Sequence, residues 1–514
     1  MNALPLLSLI IFLPWMGALV LALLPRLGDL PSRILALVFS LSTLGLAGLV
    51  LTGFQPEIGG YQFVERHEWI GSLNVHYFLG LDGLSLILVL LTGIVAPAAL
   101  LAAWRQPGEV RFFSILFLLL QGAALGVFLA LDFFHWFLFW ELSLVPAFFL
   151  IKLWGGPGAA RAAYQFVLYT MGGSAFMLLG FAAIFLTTRT LDFPTLAHLA
   201  TEGALGAKLD GLGSFWPTAV FLGVLLGLAV KVPLFPFHTW LPDAYAEAPT
   251  GASMFLTAVM SKMGVYGFLR ILWPIFPAQL HAAAPILLWL ALGGVGFGAY
   301  AAMRQTDLKR MVAYSSINHV SFCLLALFAV SAATGGTTIS SAAAAALSGT
   351  LLQMFNHGLS AAALFFGIGI LESRSGGRRG LSDFGGVRAV APLFAGLFGV
   401  ALFSSLGLPG LNGFVGEFLI FRGVWGLAPW AAAVACLGLF ATAFFLLTFW
   451  QRVFHGPVGG VIEQMGSFRD LTKVEIATLL PLALLMVLFG VLPHLLTTLF
   501  NPLVTAWVNP LVLP

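Results

Sequence analysis

Runs of about twenty apolar residues alternate with short polar stretches along the whole chain. At the rise of an α-helix, a run of that length matches the hydrocarbon thickness of a bilayer. Fourteen such spans are predicted, near residues 4–24, 34–53, 80–103, 112–130, 133–151, 163–187, 215–241, 250–270, 284–303, 311–331, 342–371, 391–421, 429–451 and 475–500. The polar stretches between them cannot bury a core of their own, even the longest, about Thr52–Leu79 and Thr188–Ser214. Three spans, 215–241, 342–371 and 391–421, are longer than one crossing requires, and two of these contain helix breakers.

The first break follows Lys231 and holds Pro233, Pro236 and Pro242. A proline inside a helix removes a backbone hydrogen bond. Broken backbone at membrane depth is tolerated only against protein or a wet cavity. The second break lies in SSLGLPGLNGFVGE, Ser404–Glu417, through Gly407, Pro409, Gly410 and Gly413. The breaks fall in the seventh and twelfth spans. That odd offset inverts one unit relative to the other, as in inverted-repeat transporters. The predicted fold is therefore an all-α integral membrane protein with about fourteen transmembrane helices and two inverted five-helix repeats, each containing a broken helix. Residues 111–272 form the first unit and 273–455 the second. A three-helix region, 1–110, precedes them, and a C-terminal helix and tail, 456–514, follows.

Composition agrees: 60% of the 514 residues are hydrophobic and 8% are charged, against about 25% charged in soluble domains. The first run has neither a basic start nor a small-residue cleavage site and reads as a retained span. Cys323 and Cys436 stand alone in apolar runs, which excludes a cysteine-held cluster, haem or disulfide framework. Of the 23 lysines and arginines, sixteen fall in one set of alternate loops and five, including Arg270, in the other. The richer set marks the cytoplasmic side, leaving both termini opposite.

Lys231 and Lys262 remain inside spans, as do the carboxylates Glu141 and Glu417. A charge at the bilayer centre costs roughly 2.5–3.5 kcal/mol on insertion scales, so such residues mark ion paths by default. Lysine can exchange a proton where arginine cannot, because the guanidinium stays protonated. Glu141 lies midway along the fifth span and is expected to carry protons or sense charge. Glu417 sits beside the second break, placed to receive protons and face an exit. His238, seven residues after Lys231, shares its face if the segment is helical; it reads equally as a relay or a satisfied buried histidine. His319 and His357 stand among Ser315, Ser316, Asn318, Gln353 and Asn356 in the tenth and eleventh spans. Such belts can glue helices together, but they also suit a water chain, and relay is the expectation for both histidines.

With these residues, the chain resembles the antiporter-like subunits of respiratory complex I, the proton-pumping NADH:quinone oxidoreductase. The resemblance rests on FWELSLVP around Glu141, LAVKVPLFPFHTWLPDAYAEAPTGASMFLTAVMSKMGVYGFLR, DLKRMVAYSSINHVSF, QMFNHGLSAAALFF and LPGLNGFVGEF. It covers essentially the whole chain. It implies that Glu141 and Lys231 form the charge pair of the first half-channel and that Lys262 connects the halves. His319 and His357 would then continue the axis to Glu417. A glutamate rather than a lysine at Glu417, and only the short tail Asn501–Pro514 after Phe500, point to the M-type branch (mitochondrial ND-four type). No dinucleotide, flavin or cluster motif is present, so no cofactor is expected in this chain and electron transfer falls to partners. The expected partners are other membrane-arm subunits, especially neighbouring antiporter-like ones, and the lipid bilayer, with no nucleic acid. The expected location is the bacterial inner membrane. The D-type subunit of ferredoxin-dependent photosynthetic complex I and the multi-subunit sodium/proton antiporters remain alternatives.

Overall fold

The computed structural model describes residues 4–106, 108–333, 337–465 and 468–509. Among the described residues, twelve helices are long and apolar enough to cross a membrane: Leu6–Leu23, Asp29–Gly53, Gly83–Ala102, Val110–Leu129, Phe133–Trp154, Ala159–Thr188, Thr250–Ile275, Pro277–Met303, Leu308–Ala332, Ile339–Arg374, Pro429–Phe454 and Lys473–Val491. Two shorter apolar helices, Trp216–Lys231 and Pro392–Ser405, resume after a break as Leu241–Glu247 and Asn412–Leu427. Counting each interrupted segment as one span gives the expected fourteen. The eighth, tenth and eleventh spans are buried along nearly their whole length. Large apolar side chains such as Leu168, Leu179, Phe440 and Phe444 stay exposed on peripheral spans, as a lipid-facing surface requires.

Both breaks arise locally. The seventh span stops at Lys231 and turns through Val232–Trp240, where Pro233 and Pro236 offer no N–H. The Trp240 indole donates to the freed Val230 carbonyl at 2.9 Å. Pro242 does not break the helix. It opens the next one, in the first turn where a missing N–H costs nothing. In the twelfth span Gly407 and Gly410 adopt φ of 79° and 93°, a conformation that a side chain disfavours. Gly413 lies inside the second half-helix, where a Cβ would collide with the Ser404 carbonyl, so it serves close packing rather than the break.

Two expectations need correction. The fourteenth span ends at Val491, not 500, and a separate helix His494–Val508 follows it. Of the tail Asn501–Pro514, residues 510–514 lie outside the described residues. The proposed boundary at 272/273 falls inside the eighth span, which continues to Ile275. Beside the helices, the loop before the third span folds into an antiparallel hairpin, β1 Gln62–Ile70 and β2 Val75–Leu81. Asn74, left-handed at φ 49°, makes the turn. Glu65 on β1 accepts from the Leu7 N–H at 2.8 Å and binds the Ser8 hydroxyl, anchoring the start of the first span.

Candidate functional site

Glu141 lies at the end of the first half of the fifth span, two residues before the helix is interrupted at Ser143. One of its carboxylate oxygens is buried without a hydrogen-bond partner. Lys231, 2% exposed, caps the first half of the seventh span. Its Nζ sits 5.0 Å from the Trp140 ring centroid and 5.8 Å from that of Phe166, and likewise lacks a hydrogen-bond partner. The two charges lie within electrostatic reach of each other but form no direct ion pair. The Trp140 indole, donating to Ser174 Oγ at 3.0 Å, holds the face on which the ammonium rests. Such a cation–π contact partly replaces lost hydration.

His238 does not share a helical face with Lys231, because the helix has already ended there. Its ring stacks on Phe235 at 5.4 Å and lies 4.8 Å from Phe297, and its Nδ1 has no partner. The expected relation to Lys231 depended on helical geometry that the prolines remove.

Lys262 is 1% exposed, near the middle of its span. The helix around it is not regular: Leu256–Met260 and Phe268–Leu272 are π-helical. Widening the turn frees carbonyls, a common device at functional sites. The Thr257 carbonyl accepts from Lys262 Nζ at 2.7 Å and from Ser261 Oγ at 2.6 Å. Lys262 Nζ also lies 3.1 Å from Ser261 Oγ and 2.7 Å from His357 Nδ1. An ammonium there has three donors and three acceptors, which makes His357 Nδ1 the acceptor. The His357 and His319 rings lie 5.3 Å apart. His319 Nδ1 reaches Glu417 Oε1 at 2.9 Å, and Gln353 donates to the same oxygen at 3.2 Å. Glu417 is 4% exposed. Gly416 and Gly349 let the eleventh and twelfth spans approach closely enough for these contacts.

Of the expected residues, Lys262, His357, His319 and Glu417 form one chain of contacts. Glu141 and Lys231 stand together beyond its Lys262 end, and His238 stands apart. Sequence reading missed several polar groups. Asn412 accepts from Ser404 at 2.5 Å and donates to Asn356 at 3.2 Å, pinning the second break to the eleventh span. Arg270, expected in a loop, is buried in the eighth span and pairs with Asp82 at 2.6 Å. It also donates to Tyr61 at 2.8 Å, and burial pushes that phenol up to about 12, so it stays neutral. On the arginine-rich side, Arg379 binds Glu247 at 2.8 Å and Asp307 at 2.5 Å, while Lys309 binds Glu372 at 2.6 Å. Charges this far apart in sequence give no local signal of pairing.

Fold and buried charges together define a multi-pass integral membrane protein with ionisable groups threaded through its core. The chain belongs to the family described as NADH:quinone oxidoreductase/Mrp antiporter, TM, whose model matches residues 130–444. NADH-quinone oxidoreductase subunit M of Rhodobacter capsulatus is 36% identical over 507 residues, covering 97% of this chain and 95% of that one. F(420)H(2) dehydrogenase subunit M of Methanosarcina mazei is 37% identical over 467 residues, 88% of each chain. A chain in the structure of respiratory complex I from Thermus thermophilus superposes with a TM-score of 0.84 at 30% identity, covering 98% of this chain and 99% of that one.

Proposed function

We propose that this chain is a proton-translocating membrane-arm subunit of an NADH:quinone oxidoreductase in the bacterial plasma membrane, driven by redox chemistry in partner subunits. The observation that carries this reading is the buried chain Lys262–His357–His319–Glu417, which links the eighth, eleventh, tenth and twelfth spans inside an apolar core. Interhelical glue alone needs no ionisable groups, since neutral hydrogen bonds average about 0.6 kcal/mol each in membranes without the cost of burying charge. Neighbouring membrane-arm subunits are the expected partners. The similarity to subunit M of both NADH and F(420)H(2) enzymes fits a membrane subunit whose pumping does not depend on the electron donor.

The cycle begins when a charge or conformational signal from a neighbour moves the Glu141 side of the first half-channel. With the carboxylate near, Lys231 holds its proton. As they separate, the proton passes to Lys262, then through His357 and His319 to Glu417, which releases it. Each charge moved outward works against about 2.3 kcal/mol per 100 mV. The two-unit division is part of the proposal: the sixth and seventh spans approach through Gly173, Gly180 and Gly227, as the eleventh and twelfth do through Gly349, Gly416 and Gly423. Those pairs correspond at an offset of five spans.

Glu417→Gln tests the reading, because glutamine keeps the size and hydrogen bonding but cannot ionise. Proton uptake by vesicles carrying the assembled complex should fall severalfold. Unchanged uptake with normal assembly would make Glu417 structural and remove the proposed exit.

A further inference from the structure

Between Lys231 and Lys262 the chain of contacts is interrupted. A cavity of about 10 Å³ lies there, lined by Lys231, Tyr245 and Ser261 among the apolar side chains Phe166, Leu256 and Met260. That volume admits roughly one water. Ser261 is 2% exposed and Tyr245 1%. Ser261 Oγ is the only hydroxyl in contact with Lys262 Nζ among the described residues, at 3.1 Å. Tyr245 stands on the second half of the broken span, beside the Ser261 hydroxyl, and donates to the π-segment carbonyl of Leu256 at 3.1 Å. One wall of the cavity therefore holds Lys231 and another the Ser261 hydroxyl that touches Lys262.

We propose that Ser261, set in place by Tyr245, is the proton link between the two lysines, working through one water in this cavity. The inference rests on the reading above. The Lys231 ammonium gives a proton to the water, and the water gives one to Ser261 Oγ. In the same step the Ser261 hydroxyl proton leaves for the neutral Lys262 amine. Lys231 ends neutral, Lys262 ends as an ammonium, and water and serine are regenerated. Lys262 Nζ has three acceptors around it, so its ammonium is satisfied once the proton arrives. Tyr245 is a positioning residue, and its phenol keeps the serine facing the cavity rather than collapsing onto it.

The test uses the whole complex in sealed vesicles, with NADH oxidation and proton uptake measured in H2O and D2O. Ser261→Ala should slow coupled turnover about tenfold, the equivalent of one hydrogen bond of roughly 1.4 kcal/mol lost from the rate-limiting transfer, and should raise the solvent isotope effect. Ser261→Thr, which keeps the hydroxyl, should restore both. Tyr245→Phe should shift the isotope effect in the same direction by a smaller factor. Wild-type rates and isotope effect in Ser261→Ala, beside a defective Lys262→Ala, would overturn the link while leaving the relay intact. Normal pumping in Lys262→Ala would instead overturn the relay itself. Slow turnover in Ser261→Thr as well as Ser261→Ala would assign the serine to packing, and the link would fail.

Discussion

Lys231 shows how far single residues were legible. Its place before a proline break could be read from the chain, because a charge in an apolar run stands out wherever the run goes. Its surroundings could not: the ammonium rests on Trp140 rather than on the Glu141 carboxylate. Adjacent side chains on a helix point in different directions, and only the packing decides which one meets a neighbour. Lys231→Arg should therefore assemble well, since a guanidinium stacks on an aromatic ring, yet pump poorly because it holds its proton. Full activity would reduce Lys231 to a fixed charge. Glu141→Ala and Lys231→Ala should each abolish most coupled NADH oxidation, with the double variant little worse than either. Losses that add to within about 0.5 kcal/mol would show two independent residues. His238 illustrates the opposite case, where a spacing argument depended on a helix that the sequence itself, through its prolines, had already ended.

At the scale of the element, the eighth span departs most from what periodicity can convey. Its lysine was legible and its two π-segments were not, because one extra residue per turn leaves the apolar pattern intact while rotating everything beyond it. Each residue contributes about 100° of rotation in an α-helix. Lys262→Met, which keeps the length of the side chain but removes its ammonium, should break the contact with His357 held by this irregular stretch. Such a variant should assemble, since Lys262 is surrounded by a buried and largely apolar span, but lose proton uptake. Retained uptake would mean the Lys262–His357 contact is not on the path. The hairpin escaped notice for a related reason. Its first strand carries exposed charged and polar residues, as in Arg66, His67 and Glu68, and that composition reads as a loop. The paired charges around Arg379 lie between elements instead. Arg379→Ala would leave Asp307 and Glu247 facing one another without their cation, and should cost roughly 1.5–3 kcal/mol, visible as earlier thermal dissociation of the purified complex.

Over the whole molecule the span count was legible because every crossing must satisfy its backbone within itself, which forces long apolar runs. The arrangement of the chain end was not. His494–Val508 buries Leu496, Phe500, Val504 and Val508, seats Phe500 against Gly83 at the start of the third span, and sets Trp507 5.5 Å from Trp273 at the end of the eighth. It thus clamps two spans across one face. Phe500→Ala should destabilise the assembled subunit by about 3–5 kcal/mol, measurable as a lowered unfolding temperature, with the chemistry of the relay untouched in whatever complex remains. The proposed relay lies at one depth. Glu141, Lys262, His319 and His357 each fall near the middle of their spans, so a proton moving among them travels sideways at almost constant depth. A sideways step crosses little of the transmembrane field. The electrical work of about 2.3 kcal/mol per 100 mV then falls on loading from one face and discharge to the other, leaving the interior of the protein nearly equipotential. An imposed voltage should alter how fast protons enter and leave this subunit while hardly changing the pace at which they pass between its two halves.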